Sequence, residues 1–278
     1  MLVNVVSFDE FESIARKAMD NKRDEHVLFR GEPLDVLYPL STSLGRRYPL
    51  LKKIYAGAYY DILKDVVLNQ GIAELYVEGL PERCPYRISN LVPLGSNEEE
   101  AAQYQLEFKN VNIAIAMLRH YGFPSPFLDC SKNPLVAAFF ASAGGDSAGV
   151  IYVLKIKNKF APSSSENIIV YPYEYLDGCH ENHERQESYY MLNVFNDDVF
   201  ELKYNTQTPF FRFWSLDQGI PSNITIEKYI ITDSRQSVLD RLKTQYGKEY
   251  SPEGLLTDVP PHTSKRLQEL ADEKFPLG

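Results

Sequence analysis

Cysteine is scarce in this sequence: Cys84, Cys130 and Cys179 are the only three in 278 residues. An odd number at wide spacing makes no disulfide framework, so a reducing compartment is expected. Long apolar runs are missing as well. Nothing approaches the roughly 18 consecutive residues that cross a bilayer, and Met1-Leu2-Val3-Asn4 has neither the basic start nor the apolar core of a signal peptide. The expectation is a cytoplasmic chain with no membrane partner. Positive charge is also in deficit, with 29 Lys and Arg against 38 Asp and Glu for a net −9, so no global basic field draws in nucleic acid. A local patch at Arg46, Arg47, Lys52 and Lys53 remains, for which a solvated helix face is the ordinary reading. Neither a Gly-x-Gly-x-x-Gly pattern nor a Walker-type loop occurs, which sets aside the classical nucleotide folds.

What remains is an ordinary globular composition, 44% hydrophobic and 24% charged, in a chain long enough for one large domain or two small ones. The 19 tyrosines and 15 phenylalanines supply core and also surfaces on which a base or nucleotide could stack. One run organises the chain: His120-Tyr121-Gly122-Phe123-Pro124-Ser125-Pro126-Phe127-Leu128-Asp129-Cys130-Ser131-Lys132-Asn133-Pro134, followed by Leu135-Val136-Ala137-Ala138-Phe139-Phe140-Ala141. Gly122 and Pro124 end a helix. The prolines then hold the chain extended. Asp129 or Ser131 is expected to N-cap the apolar helix that follows, with Pro134 in its first turn. That reading puts His120, Tyr121, Asp129 and Ser131 on irregular backbone between two buried helices, where chemistry is commonly kept.

Around this run the pattern predicts an α+β domain. Ser7-Phe8-Asp9-Glu10 caps a helix that buries Phe11, Ile14 and Ala15. His26-Val27-Leu28-Phe29-Arg30-Gly31 reads as a buried strand ending in a cation. An unpaired buried guanidinium is very costly, so Arg30 either pairs with a core carboxylate or forks onto a phosphate or carboxylate ligand. Gly31 would let a ligand or another backbone come close. Residues 46–76 are helical in pattern, and a second helix is expected from Ser96 to Arg119. Strands are expected at 149–156, 167–171, 188–194, 208–214 and 224–231, then helices at 237–246 and 263–273. The architecture is one domain over 1–278, a mixed or antiparallel sheet with a helical lobe inserted at about 46–120.

The run at 120–134 resembles the signature of the FRG domain family, in which a helix ends in Gln-His-Tyr-Gly and is followed by Leu-Leu-Asp-Trp-Thr, Asn-Pro and an Ala-rich helix. Here the matching residues are His120-Tyr121-Gly122, Leu128-Asp129, Ser131 in place of Thr, Asn133-Pro134 and the Ala/Phe helix. Phe29-Arg30-Gly31 matches the namesake tripeptide. Arg119 stands where Gln is usual, and Cys130 where an aromatic is common. The order of parts is also similar, at a distance, to the ADP-ribosyltransferase fold. The resemblance implies an enzyme that uses NAD as co-substrate to modify RNA, DNA or protein, as a toxin or phage-defence effector with a neutralising antitoxin as possible partner. It implies Arg30 as ligand clamp, Gly31, His120, Tyr121 and Tyr189 at the cofactor, and Asp129 and Ser131 orienting the arginine and the ribose. The family's late Gln-Gly element is matched by Gln186-Glu187-Ser188, a register that leaves Gln186 and Glu187 both open, with Glu187 expected as the catalytic acid.

The alternative is an FRG module that binds a ligand or protein without catalysis. Cys179-His180-Glu181-Asn182-His183-Glu184 resembles a ligand set, but zinc ordinarily needs a second cluster at a distance, so no metal is expected. A hydrolase built on Ser131, His120 and Asp129 is disfavoured, because Ser131 does not sit in a Gly-x-Ser-x-Gly elbow.

Overall fold

The structure is a computed structural model that describes residues 2–20, 25–34, 40–48, 53–55, 59, 62, 118–119, 122–144, 149–157, 166–172, 185–195, 210–212, 224–256 and 261–275. The described chain is α+β. Its strands are β1 (Leu2–Val6), β2 (Glu25–Pro33), β3 (Lys53–Tyr55), β4 (Leu128–Ser131), β5 (Gly149–Lys157), β6 (Glu166–Pro172), β7 (Ser188–Phe195), β8 (Phe210–Arg212) and β9 (Ile224–Ile231). They form one mixed sheet in the order β1-β9-β5-β2-β4-β7-β8-β3, with β6 on the other edge of β7. All pairings are antiparallel except β1 with β9. The helices are α1 (Phe8–Asp20), α2 (Ser43–Arg47), α3 (Pro134–Ala143), α4 (Arg235–Arg241), α5 (Pro252–Leu255) and α6 (Pro261–Lys274).

Strand alternation builds two cores, one on each face of the sheet. On β5, Val150, Tyr152, Leu154 and Ile156 join Leu28, Leu128 and Met191 on one face. Ile151 and Val153 turn the other way and join Phe29, with Phe11 of α1, Val136 and Phe139 of α3 and Val238 of α4. A central strand with two covered faces must be apolar at nearly every position, which is why β5 was legible as a strand. The start of α1 is closed by a reciprocal capping box: the Ser7 amide donates to Glu10 Oε2 at 2.8 Å and the Glu10 amide to Ser7 Oγ at 3.3 Å.

Three expectations change. Asp129 and Ser131 lie on a strand, β4, because Leu128–Ser131 pairs with Ser188–Met191 of β7. The cap of α3 is therefore neither of them. Asn133 Oδ1 accepts from the Leu135 amide at 2.9 Å, with Pro134 at the first helical position as expected. Within the stretch read as helical, Lys53–Tyr55 is a strand against β8. Most of the 46–120 lobe, including the helix expected from Ser96, lies outside the described residues; its end at Leu118 and Arg119 is helical.

Gly31 is occupied by packing. A Cβ there would meet the Ala137 carbonyl oxygen at 1.7 Å and the Ala141 nitrogen at 2.6 Å, and one at Gly149 would meet the Ala141 oxygen at 2.2 Å. Helix α3 thus lies directly on the backbone of β2 and β5, which its Ala-rich face allows. Backbone cannot retreat as a flexible side chain can, so Gly31→Ala is expected to destabilise the fold by about 3 kcal/mol or more. Urea denaturation checks this; a loss below about 0.5 kcal/mol would show that α3 is not seated as described.

Candidate functional site

Strand β2 is laddered to β5 over its whole length, from Glu25↔Lys157 to Pro33↔Gly149. With β4, on its other edge, it shares the single rung Phe29↔Ser131. Past Phe29 the two strands part, and a cavity of about 660 Å³ opens at the split. Its polar wall carries Arg30, Glu32, Arg46, Arg119, Asp129 and Gln186, and its apolar wall includes Phe29, Phe123, Val136 and Phe140.

Alternation puts Arg30 and Glu32 on one face of β2, two residues apart, so their side chains meet. Arg30 Nε donates to Glu32 Oε1 at 2.7 Å, and Nη1 donates across the split to the Asp129 carbonyl at 2.6 Å. The guanidinium bridges two strands where their ladder has lapsed. Glu32 is only 2% exposed. Its Oε2 accepts from the Leu40 amide at 2.7 Å, and Arg46 Nη2 lies 3.5 Å from its Oε1. Leu40 holds φ 52°, a left-handed conformation rare for a bulky side chain, and the bond to Glu32 helps to hold it. Arg30 is thus paired with a core carboxylate and also lines the cavity.

Arg119 and Asp129 pair across the cavity wall. Arg119 reaches it from the end of a helix closed in the manner that Gly122 implied: the Gly122 amide donates to the Arg119 carbonyl, the Phe123 amide to that of Leu118, and Gly122 has φ 95°. Arg119 Nε and Asp129 Oδ1 are buried with no hydrogen-bond partner among the described residues. Burial, reinforced by the positive charge of Arg30, holds the Arg119 guanidinium down to about 9. Burial and Arg30 likewise hold Arg46 down to about 10. Neither Arg46 nor Arg119 stood out as a site residue in sequence, since a cationic wall appears only when separate segments meet; the departure from Gln at 119 was the one available signal.

The turn before β7 divides its two candidates. Gln186 lines the cavity and donates from Nε2 to the Leu255 carbonyl at 2.6 Å, while its own carbonyl accepts from Ser131 Oγ at 2.7 Å. Glu187 is not part of that wall; its Oε1 accepts from Asn133 Nδ2 at 2.9 Å, which locks the turn to the cap of α3. Glu187 holds φ 42°, a region that glycine enters freely. Gly31 and Ser131 line the cavity, whereas Tyr189 does not and packs against the core on the Leu28 face. His120 and Tyr121 lie outside the described residues, as does the segment Cys179 to Glu184. Among the described residues no cluster of His, Cys, Asp and Glu could hold a metal ion, and no helix is long and apolar enough to cross a membrane. One serine pattern had gone unread: Gly145-Asp146-Ser147-Ala148-Gly149 has elbow spacing, but it joins helix α3 to strand β5, the reverse of the strand-to-helix order that an elbow requires.

Comparison with protein families matches residues 25–148 to the FRG domain. That stretch contains β2, β4 and α3, and so most of the cavity wall. No curated protein and no solved structure matches the chain.

Cys130 lines the same wall, and burial pushes its thiol up to about 12. A thiol so raised stays protonated at pH 8 and does not act as a nucleophile. Alkylation of the native protein at pH 8 followed by peptide mass mapping should leave Cys130 unlabelled until denaturant is added; rapid native labelling would contradict its burial.

Proposed function

We propose that the cavity, most of whose wall lies in the stretch 25–148 that matches the FRG domain, binds NAD and transfers ADP-ribose to a macromolecule. The observation that supports this most is a convergence. Arg30 from β2, Asp129 and Ser131 from β4, and Gln186 from a turn much later in the chain meet around one cavity with an arginine-rich side and an aromatic side. A dinucleotide needs both, cations for its pyrophosphate and flat apolar surface for its rings. This is also the arrangement that similarity to the ADP-ribosyltransferase fold would require.

In the transfer, the bond between ribose C1′ and the nicotinamide nitrogen breaks, its electron pair leaving with nicotinamide. An oxygen or nitrogen of the acceptor bonds to C1′ and loses its proton to solvent. Positive charge gathers on the ribose, so an aligned dipole or carboxylate beside it lowers the barrier. Gln186 is the group we assign there. Its Nε2 is committed to the Leu255 carbonyl, so the amide oxygen is the part of the side chain left for this role. The left-handed backbone of Glu187 suits the glycine of a Gln-Gly element, which aligns Gln186 with the glutamine. Asp129 and Ser131 then hold the ribose and the turn. The acceptor is RNA, DNA or protein, and such an activity fits a toxin or phage-defence effector held in check by an antitoxin.

A second reading, a binding module without catalysis, is favoured by one observation: each carboxylate on the wall already faces an arginine, Glu32 with Arg30 and Asp129 with Arg119. Incubation of the purified protein with NAD separates the two readings. Transfer predicts release of free nicotinamide that falls at least about 100-fold in Gln186→Ala, with unchanged circular dichroism and little effect of Glu187→Gln. Binding of NAD without nicotinamide release, alone or with RNA and cell extract as acceptors, would establish the binding module instead.

A further inference from the structure

The cavity wall has a charge balance opposite to that of the chain. Among the described residues of the wall, three arginines, Arg30, Arg46 and Arg119, face two carboxylates, Glu32 and Asp129, in a protein of net charge −9. The three cations are not equally engaged. Arg30 is fixed by Glu32 and the Asp129 carbonyl. Arg46 reaches Glu32 only at 3.5 Å. Arg119 is held by Asp129 from one side and has its Nε unpartnered, while Asp129 has its Oδ1 unpartnered. Buried polar atoms left without partners are uncommon and costly. Here one is a donor and the other an acceptor, on neighbouring side chains of one cavity. A ligand that satisfies both offers an acceptor and a donor close together, as a phosphate oxygen beside a sugar hydroxyl does.

We propose that Arg46 and Arg119 form the phosphate subsite, and Asp129 the hydroxyl subsite, of a pocket for a ribose-phosphate unit such as that of a nucleoside diphosphate or ADP-ribose. The unmatched positive charge is the reason for the phosphate. Burial and repulsion from Arg30 work against the protonated state of both arginines, and a bound phosphate reverses that imbalance through charge-assisted hydrogen bonds. The carboxylate beside Arg119 is the reason for the hydroxyl. A bare anion would meet repulsion from Asp129, whereas a sugar hydroxyl donates to it. Phe123 and Phe140, which also line the cavity, give the base a surface to lie against.

The assignment rests on the same cavity as the proposed transfer and deepens that reading, but it is measured without turnover. Isothermal titration with ADP, 2′,3′-dideoxy-ADP, adenosine and inorganic pyrophosphate tests it. On the wild-type chain, ADP should bind at least ten-fold more tightly than either adenosine or dideoxy-ADP. R46Q and R119Q should each weaken ADP at least ten-fold. D129N should weaken ADP while leaving pyrophosphate unchanged or tighter, since a competing negative charge has gone. Equal binding of ADP and adenosine, or of ADP by wild type and both arginine variants, would overturn the phosphate subsite. Equal binding of ADP and dideoxy-ADP would overturn the hydroxyl subsite, and that comparison does not depend on a variant folding. ADP binding as described with no nicotinamide released from NAD would remove the transfer reading alone. Nicotinamide release without the ADP pattern would remove this inference alone.

Discussion

A single buried carboxylate, that of Glu32, holds the centre of this structure together. It takes the Nε of Arg30, stands near Arg46 and anchors the strained Leu40 amide. Burying a carboxylate costs several kcal/mol unless each of its lone pairs finds a donor. Glu32 finds donors in Arg30 of its own strand and in the Leu40 amide, and a cation of α2, Arg46, stands close by. The arrangement ties three segments to one point at the top of β2. Such a carboxylate contributes little net stability over a well-packed apolar side chain. Its value is positional: it decides where two guanidinium groups stand.

The cavity follows from that position and from two other constraints. Strand β2 needs β5 along its full length but meets β4 at one rung, so the sheet opens where Arg30 begins. Helix α3 is pressed onto Gly31 and Gly149, and its N-terminal residues close the far side of the opening. The turn carrying Gln186 is tied to that same corner, through Ser131 Oγ to the Gln186 carbonyl and through Asn133 to Glu187. Stability and cavity are coupled here, because the residue that caps α3 also holds the turn whose Gln186 lines the cavity.

Much of the sheet was legible because its central strands are apolar on both faces. Ile224–Ile231 and Gly149–Lys157 stand out as runs of β-branched and aromatic residues. The strands read as something else are short or irregular in pattern. Leu128–Ser131 has four residues, one of them an aspartate, behind two prolines, and only its pairing with β7 makes it a strand. Lys53–Tyr55 sits in a stretch with helical spacing, and its partner is far along the chain. At the site, Arg30 was visible because a cation ending an apolar strand demands a partner. Glu32 was not, since Gly31-Glu32-Pro33 reads as the end of a strand. Arg46 looked like part of a solvated face, and that Gln186 lines the cavity while Glu187 does not follows from a turn whose backbone φ composition does not encode.

The account's central claim is that Arg30 and Glu32 act as one unit, and a double-mutant cycle measures this directly. With Arg30→Leu, Glu32→Leu and the double variant compared by urea denaturation, each single change takes from a buried charge its nearest opposite charge and should cost about 3–5 kcal/mol. The double change should cost clearly less than the sum, with a coupling of about 2 kcal/mol or more. Costs that add to within about 0.5 kcal/mol would mean that the two side chains do not depend on each other, and that the cavity is held open by something else.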